Sequence, residues 1–311
     1  MKEEPVQTKK NVSSSIVVKY KQEGSENKSI DYSCEVYFPV EFTKLRKLCD
    51  ISPDDYCQSL ARSKGFDAKG GKSGASFSKT FDDRFILKKI SKNELDSFIE
   101  FADQYFFYFF KEVSQRLVPT ALAKIFGIYS LTYRGNTTTF NNYFIVVMEN
   151  LFYKRNITKI FDLKGSMRNR HSMDQTSILL DEDLLERMYE YPMCLQQKGK
   201  ADLGMAVWND SVFLARLNVM DYSLLVGIDE ENGEYVVGII DYLRKYGWDK
   251  QFESWVKKTG MLAGGKVPTI ISPKQYEKRF QYAIWLYFLM VPSKGLQFVN
   301  DLTEESTKKM S

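Results

Sequence analysis

Val236-Val237-Gly238-Ile239-Ile240 is followed at once by Asp241, and no other stretch limits the fold as much. Val236, Val237, Ile239 and Ile240 read as a buried strand, with Asp241 closing it and a long basic segment beyond. About twenty residues upstream, Met220-Asp221-Tyr222-Ser223-Leu224-Leu225 places a second carboxylate, Asp221, at the end of a helix-to-strand connection. Two carboxylates at the edges of two neighbouring strands can face one cleft. Phosphoryl transfer asks for such a pair: one acid orients the attacking hydroxyl, the other holds the metal that bridges the phosphates. An aspartate at a strand end is equally an ordinary turn residue. The rest of the chain has to decide between two caps and a site.

Charge distribution bears on that choice. The net charge of the 311 residues is +4. Tyr242 to Lys274 carries +5 and Lys154 to Arg170 carries another +5, so the remainder carries −6. Positive charge gathered in two segments points to an anionic partner. The pattern lacks any nucleic-acid-binding signature such as a finger or an RNP string, so nucleic acid is not the expected partner. The longest apolar run, Ala283 to Val291, is nine residues and stops at Pro292, too short to span a bilayer. Met1 to Lys10 is polar and charged, unlike a signal peptide. Cys34, Cys49, Cys57 and Cys194 lack CxxC spacing and His171 is the sole histidine. That argues against a structural zinc site and a Ser-His-Asp triad, and for free thiols in a reducing compartment.

Taken in order, Met1 to Ser15 reads as a disordered arm. Ile16–Tyr20 and Tyr32–Phe38 alternate as strands, and helices follow over Val40–Leu48 and Pro53–Ser63, the second capped by Ser52. Gly70-Gly71-Lys72-Ser73-Gly74-Ala75 is a glycine-rich turn before a strand. It lacks the spacing and the following helix of a P-loop. It suits either a hairpin or a loop that covers phosphates. In the strand Arg84–Ile90, Lys88 and Lys89 must point to opposite faces, so one can enter a cleft. Ser91 and Glu94 form a capping box for an aromatic-rich helix to Phe110, and either Glu94 or Asp96 could pair with Lys88. Strands over Leu122–Tyr133 and Tyr143–Glu149 flank a polar loop, and Val146 to Asn150 leads from a small lobe into a large one. In the second part a strand covers Lys159 to Ser166. Helices are expected over Leu180–Tyr191 and Met205–Leu217, with Asp210 and Arg216 on the surface. A closing helix spans Pro273–Met290 with an apolar stripe of Tyr276, Phe280, Ala283, Ile284 and Tyr287. In the basic segment, Trp248, Phe252 and Trp255 share one face of a helical turn, with Lys250, Lys257 and Lys258 around it. Such a surface suits an anionic membrane; the alternative is that the aromatics fold back as core.

Several strings now form a set: Asp82-Asp83-Arg84-Phe85-Ile86-Leu87-Lys88, Val147-Met148-Glu149-Asn150-Leu151-Phe152-Tyr153, Phe161-Asp162-Leu163-Lys164-Gly165-Ser166 with Arg168-Asn169-Arg170, Asp221-Tyr222-Ser223-Leu224-Leu225, Gly238-Ile239-Ile240-Asp241-Tyr242, and Trp248-Asp249-Lys250. With these the sequence resembles the phosphatidylinositol phosphate kinases, most closely their 3-phosphate 5-kinase branch, over roughly residues 30 to 293. The resemblance implies an α+β, two-lobed kinase-like fold with antiparallel sheets. Residues 16–149 would form the N-terminal lobe with the glycine-rich loop. Residues 150–293 would form the catalytic lobe, with an activation loop over 242–274, and 294–311 a polar tail.

The resemblance also implies roles. Gly70, Gly71 and Gly74 would cover the ATP phosphates, and Lys88 would bind them, supported by an acid such as Glu94. Met148 and Glu149, in the hinge, would hold the adenine. Asp241 would hold Mg²⁺ and Asp221 would orient or deprotonate the inositol hydroxyl. Lys164, with Arg168 and Arg170, would contact the lipid phosphate or the transferring group. Trp248, Lys250, Trp255, Lys257 and Lys258 would meet the membrane. The implied activity is ATP- and Mg²⁺-dependent phosphorylation of the 5-hydroxyl of phosphatidylinositol 3-phosphate. The alternatives are a sister enzyme making the 4,5-bisphosphate and a silent phosphoinositide-binding module. The HRDxxxxN and DFG strings of protein kinases are replaced by Asp221-Tyr222 and Asp241-Tyr242. Expected partners are a phosphoinositide in an anionic membrane surface and scaffold or regulatory proteins. The expected setting is cytoplasmic, peripheral on endosomal or vacuolar membranes.

Overall fold

Alternating apolar and polar residues in the first part of the chain resolve into one antiparallel sheet. In the computed structural model, described over residues 15–23, 29–66, 76–134, 140–166, 170–172, 178–189, 192–245 and 272–292, this sheet has seven strands. They are β1 (Ser15–Glu23), β2 (Ser29–Tyr37), β3 (Ser63–Phe66), β4 (Phe77–Thr80), β5 (Phe85–Ile90), β6 (Ile125–Arg134) and β7 (Phe140–Glu149). The order is β1-β2-β6-β7-β5-β4-β3, and all neighbours pair antiparallel. Outside the described residues lie Gly70, Gly71, Gly74, Arg168, Trp248, Lys250, Phe252, Trp255, Lys257 and Lys258, together with 1–14 and the tail 294–311.

The chain divides into two compact units. The first takes the chain up to Leu117, Leu122–Thr158 and Gly227–Gly238. The second takes Val118–Ala121, Lys159–Val226 and the chain from Ile239 onward. In the first unit α1 (Pro39–Leu48) and α3 (Lys92–Phe107) build an aromatic core. Phe98, Phe101, Tyr105 and Phe106 recur at helical spacing on α3 and are all buried. Phe42 of α1 stacks on Phe98 at 6.0 Å and meets Phe106 edge-on at 5.0 Å. Such pairs add to the area they bury because ring edges and faces carry opposite partial charge. A second cluster of Ile51, Tyr56, Phe85, Phe126 and Val147 involves α2 (Pro53–Leu60). The helix expected to run to Phe110 leaves α geometry at Tyr108 and continues as a π-helical turn, Tyr108–Val113.

Helix α2 stops at Leu60, short of the expected Ser63. Ser63 instead opens β3 and pairs with Thr80. The strand Ser-Lys-Gly-Phe has no apolar alternation, so only its ladder partner reveals it.

A three-stranded sheet has the order β11-β10-β8, from β8 (Ile157–Leu163), β10 (Ser223–Asp229) and β11 (Glu234–Ile240). Gly238 on β11 leaves room for Leu151: a Cβ there would lie 2.4 Å from Leu151 Cδ1.

The second unit holds α4 (Asp181–Arg187), α5 (Gln197–Arg216) and α6 (Pro273–Tyr287). Helix α5 begins eight residues before the expected Met205. Gly199 and Gly204 lower the helix signal there, and Gly204 admits Trp285, whose Cζ3 would be 3.0 Å from an added Cβ. The predicted stripe of α6 is buried throughout. That helix ends at Tyr287 instead of Met290, because Phe288–Val291 forms β12 and pairs in parallel with β9 (Met193–Gln196).

Asp210 corrects the sequence reading. It is fully buried, not on the surface. Its carboxylate accepts the Ala121 amide at 2.6 Å and Thr120 Oγ1 at 2.8 Å. The physical reason is a non-local demand: the Val118–Ala121 segment needs acceptors for its backbone, and a helix ninety residues away supplies one. Arg216 is exposed as expected.

The elements give the α+β class that the resemblance implied, with the large sheet antiparallel throughout and the short β12–β9 pair parallel. Two substitutions test the packing. Gly238→Ala is expected to destabilise the protein by about 1–3 kcal/mol through overpacking. Asp210→Ala should cost about 1–3 kcal/mol through an unsatisfied buried amide. Denaturant midpoints at constant slope measure both.

Candidate functional site

Asp221 and Asp241 are built alike. Asp221 lies two residues before β10, and Asp241 directly follows β11, its neighbour in the sheet. Both adopt left-handed backbone, φ 68° and φ 63°. Aspartate is among the few residues other than glycine that enter this region, at some strain. Each is followed by a buried tyrosine: Tyr222 has no exposure and Tyr242 1%. Each aspartate itself is exposed. The tyrosine anchors the turn, while the aspartate beside it lies at the surface. Tyr222 packs edge-on against Tyr276 at 4.8 Å and Phe280 at 5.0 Å, and Tyr276 donates its hydroxyl to the Tyr222 carbonyl. Burial, followed by the charge of Asp221, pushes the Tyr276 hydroxyl well above its ordinary pKa.

Lys164 directly follows β8 and reaches the first of these carboxylates. Its ammonium donates to Asp221 Oδ1 at 3.0 Å and to the Asp221 carbonyl at 2.7 Å. Behind it lies Asp181, at the start of α4 and without exposure. Asp181 accepts the amides of Lys164 at 3.1 Å and Gly165 at 2.8 Å, Arg170 Nε at 2.8 Å and the Tyr287 hydroxyl at 2.9 Å. Arg170 also donates to Asp162 Oδ1 at 2.9 Å. Burial alone would lower the Arg170 pKa, but Asp162 and then Asp181 outweigh it and raise it. The structure thus brings Lys164 and Asp221 together, while the guanidinium of Arg170 is held by two acids.

In the first unit, register settles which lysine turns inward. Lys88 pairs with Phe77 on β4 and Val146 on β7 and is buried, whereas Lys89 is exposed. Glu94 Oε1 lies 3.9 Å from Lys88 Nζ. Its other oxygen accepts the Ser91 amide at 2.7 Å and the Ser91 hydroxyl at 2.8 Å. One carboxylate therefore serves as cap and as ion-pair partner, while Asp96 pairs with Lys92. Met148 is buried, and Glu149 accepts Lys124 Nζ at 3.0 Å and the Lys124 amide at 3.1 Å.

Among the described residues, no group of three or more His, Cys, Asp or Glu converges. Asp241 offers a single hard oxygen donor group. That chemistry fits Mg²⁺, which commonly takes one or two carboxylates and fills its shell with phosphate oxygens and water.

Sequence reasoning missed Asp181, Asp162 and Tyr287 as parts of this arrangement. Asp181-Glu182-Asp183 reads as an ordinary acidic first turn, and Tyr287 as one more member of an apolar stripe. Only Asp162 carried a signal, its place beside Leu163-Lys164-Gly165.

A family model described as phosphatidylinositol-4-phosphate 5-kinase matches residues 66–234 and 229–285. The chain is 47% identical over 269 residues, 84% of its length, to the 1-phosphatidylinositol 3-phosphate 5-kinase FAB1 of Saccharomyces cerevisiae. It is 46% identical over 89% of its length to 1-phosphatidylinositol-3-phosphate 5-kinase FAB1A of Arabidopsis thaliana. It is likewise 46% identical over 84% of its length to the Homo sapiens 1-phosphatidylinositol 3-phosphate 5-kinase. The matches cover 12, 16 and 13% of those proteins, so the chain spans a small part of the curated relatives' length.

Glu94→Ala is expected to lower stability by about 1 kcal/mol through loss of the cap. Asp96→Ala, on the exposed side, should stay within about 0.5 kcal/mol. Thermal unfolding of the two variants checks the distinction.

Proposed function

Because the chain belongs to the phosphatidylinositol-4-phosphate 5-kinase family, we propose that it is a lipid kinase, transferring the γ-phosphoryl of ATP to the 5-hydroxyl of phosphatidylinositol 3-phosphate. The observation that carries this reading is the Lys164–Asp221 pair, a cation fixed at 3.0 Å from an exposed carboxylate at a strand end.

In the reaction, the inositol oxygen forms a bond to the γ-phosphorus while the bond to the β,γ-bridging oxygen breaks, releasing ADP. Asp221 accepts the hydroxyl proton, a role worth roughly 10²–10⁴-fold. Lys164 holds that carboxylate in place and, with Arg168, meets phosphate charge on the substrate. Asp241 is the ligand for Mg²⁺, which when bound neutralises charge on the phosphates. In the N-terminal lobe, taken as residues 16–149, Lys88 contacts the ATP phosphates with Glu94 behind it. Gly70, Gly71 and Gly74 cover those phosphates, and Met148 and Glu149 border the adenine. Arg170 acts on Asp162 and Asp181. In the catalytic lobe, residues 150–293, Trp248, Lys250, Trp255, Lys257 and Lys258 supply contacts to an anionic membrane, since each cation near such a surface contributes about 1 kcal/mol.

No helix among the described residues is long and apolar enough to cross a membrane. We place the enzyme, as a kinase acting on a phosphoinositide, peripherally on the cytoplasmic face of endosomal or vacuolar membranes, with scaffold or regulatory proteins as partners. A second reading has one observation behind it: the matching family model is named for the 4-phosphate substrate. The relatives at 46–47% identity are named for the 3-phosphate, and that favours the first.

The test uses labelled ATP, Mg²⁺ and liposomes containing either phosphatidylinositol 3-phosphate or phosphatidylinositol 4-phosphate. Labelled 3,5-bisphosphate is expected from the parent. Asp241→Ala, Lys88→Ala or chelation of Mg²⁺ should abolish it, and Asp221→Asn should lower kcat by about 10²–10⁴-fold. Product from the 4-phosphate alone would favour the second reading. Liposome binding with no product would leave a binding module.

A further inference from the structure

Asp181 belongs to none of the strings that mark the site, yet it touches the residue at their centre. Its carboxylate has no exposure. Oδ1 lies 3.1 Å from the Lys164 amide and 2.8 Å from the Gly165 amide, and Oδ2 lies 3.1 Å from the Lys164 amide. Two consecutive amides aimed at one carboxylate fix the backbone of the residue that bears the ammonium. Gly165 continues the constraint. Its φ is +67°, and an added Cβ would lie 2.7 Å from Ala283 Cβ of α6. Beyond this turn the Lys164 ammonium reaches the carboxylate and carbonyl of Asp221.

The remaining valences of Asp181 are fixed from two sides. Arg170 Nε, at 2.8 Å, supplies the counter-charge. The Tyr287 hydroxyl, at 2.9 Å, comes from the last residue of α6. The same helix donates Tyr276 to the Tyr222 carbonyl, next to Asp221, and Arg279 Nη2 to the Lys164 carbonyl at 3.5 Å. The backbone of Lys164 and that of Tyr222, the neighbour of Asp221, are therefore held by hydrogen bonds from α6, on the Lys164 side partly through Asp181.

We infer that Asp181 is a positioning residue for the proposed transfer, holding the Lys164–Gly165 turn so that the ammonium meets Asp221, with Tyr287 bracing it. The inference rests on the lipid-kinase reading for its catalytic consequence, but not for its geometry. A displacement of about 1 Å in a charged group at a reacting centre can cost about 10²-fold in rate.

The test has two independent readouts on the full chain. The first is amine labelling by acetic anhydride, mapped by mass spectrometry, in the parent, Tyr287→Phe and Asp181→Asn. An ammonium held in an ion pair reacts slowly. The Lys164 labelling rate should rise several-fold in both variants. Lys274, paired with Glu277 at 2.7 Å on α6, should not change. The second is kinetics on vesicles of phosphatidylinositol 3-phosphate. Tyr287→Phe should lower kcat about 3–10-fold, and Asp181→Asn about 10²-fold, with KM for ATP unchanged. In a Lys164→Arg background, Asp181→Asn should add less than about threefold, because the group it positions has already been altered.

Unchanged Lys164 labelling in Tyr287→Phe would overturn the inference. So would an equal fractional loss from Asp181→Asn with and without Lys164→Arg, which is what a merely structural residue gives. Should Asp181→Asn not fold, Tyr287→Phe decides alone, since it removes one hydrogen bond and no charge. If Lys164→Arg and Asp241→Ala leave turnover intact, the catalytic reading fails, and labelling still decides the geometry.

Discussion

A carboxylate sealed from water organises the second unit. Removing Asp181 from solvent is costly, several kcal/mol for an ion of this size even after relaxation. That cost obliges the surroundings to supply donors, and they come from separate parts of the chain: the turn after β8, the Arg170 segment and the end of α6. Because each donor must lie within hydrogen-bond distance of the same two oxygens, their mutual geometry is fixed. The Lys164–Asp221 contact inherits that geometry. Asp221 itself is exposed, so the pair is rigid from behind and open to solvent in front.

The first unit solves a similar problem with less charge. Lys88 is nearly buried on a central strand, where an unpaired ammonium would be unfavourable. Glu94 relieves this from the first turn of α3, and its other oxygen closes the helix end. A single residue ties strand β5 to the start of α3. The aromatic face of the same helix then locks that start onto α1. Dual use of one carboxylate explains why the capping and pairing readings of the sequence could not be separated: both are correct.

Much of this was legible from the residues. Period-two alternation marked the first two strands of the large sheet, the caps at Ser52 and Ser91 marked two helix starts, and the buried stripe of α6 followed from its spacing. The apolar run before Asp241 and the string after Asp221 marked two neighbouring strands, because side-chain periodicity and turn chemistry are local. What stayed hidden was non-local. β3, β9 and β12 exist through their ladder partners, the early turns of α5 carry two glycines, and Asp210 turns inward to satisfy a segment far away in the chain.

The sequence alone therefore determined the kind of protein this is: its α+β class, the two aspartates at strand ends, and the family strings that contain Lys88, Lys164, Asp221 and Asp241. Tertiary structure alone decided which charges meet. It gave Lys88 to Glu94, Lys164 to Asp221 and Arg170 to Asp162 and Asp181. The reason is that propensity and periodicity act over a few neighbouring residues. The partner of a buried charge is instead chosen by desolvation and hydrogen-bond geometry in the folded chain, whatever its distance in sequence.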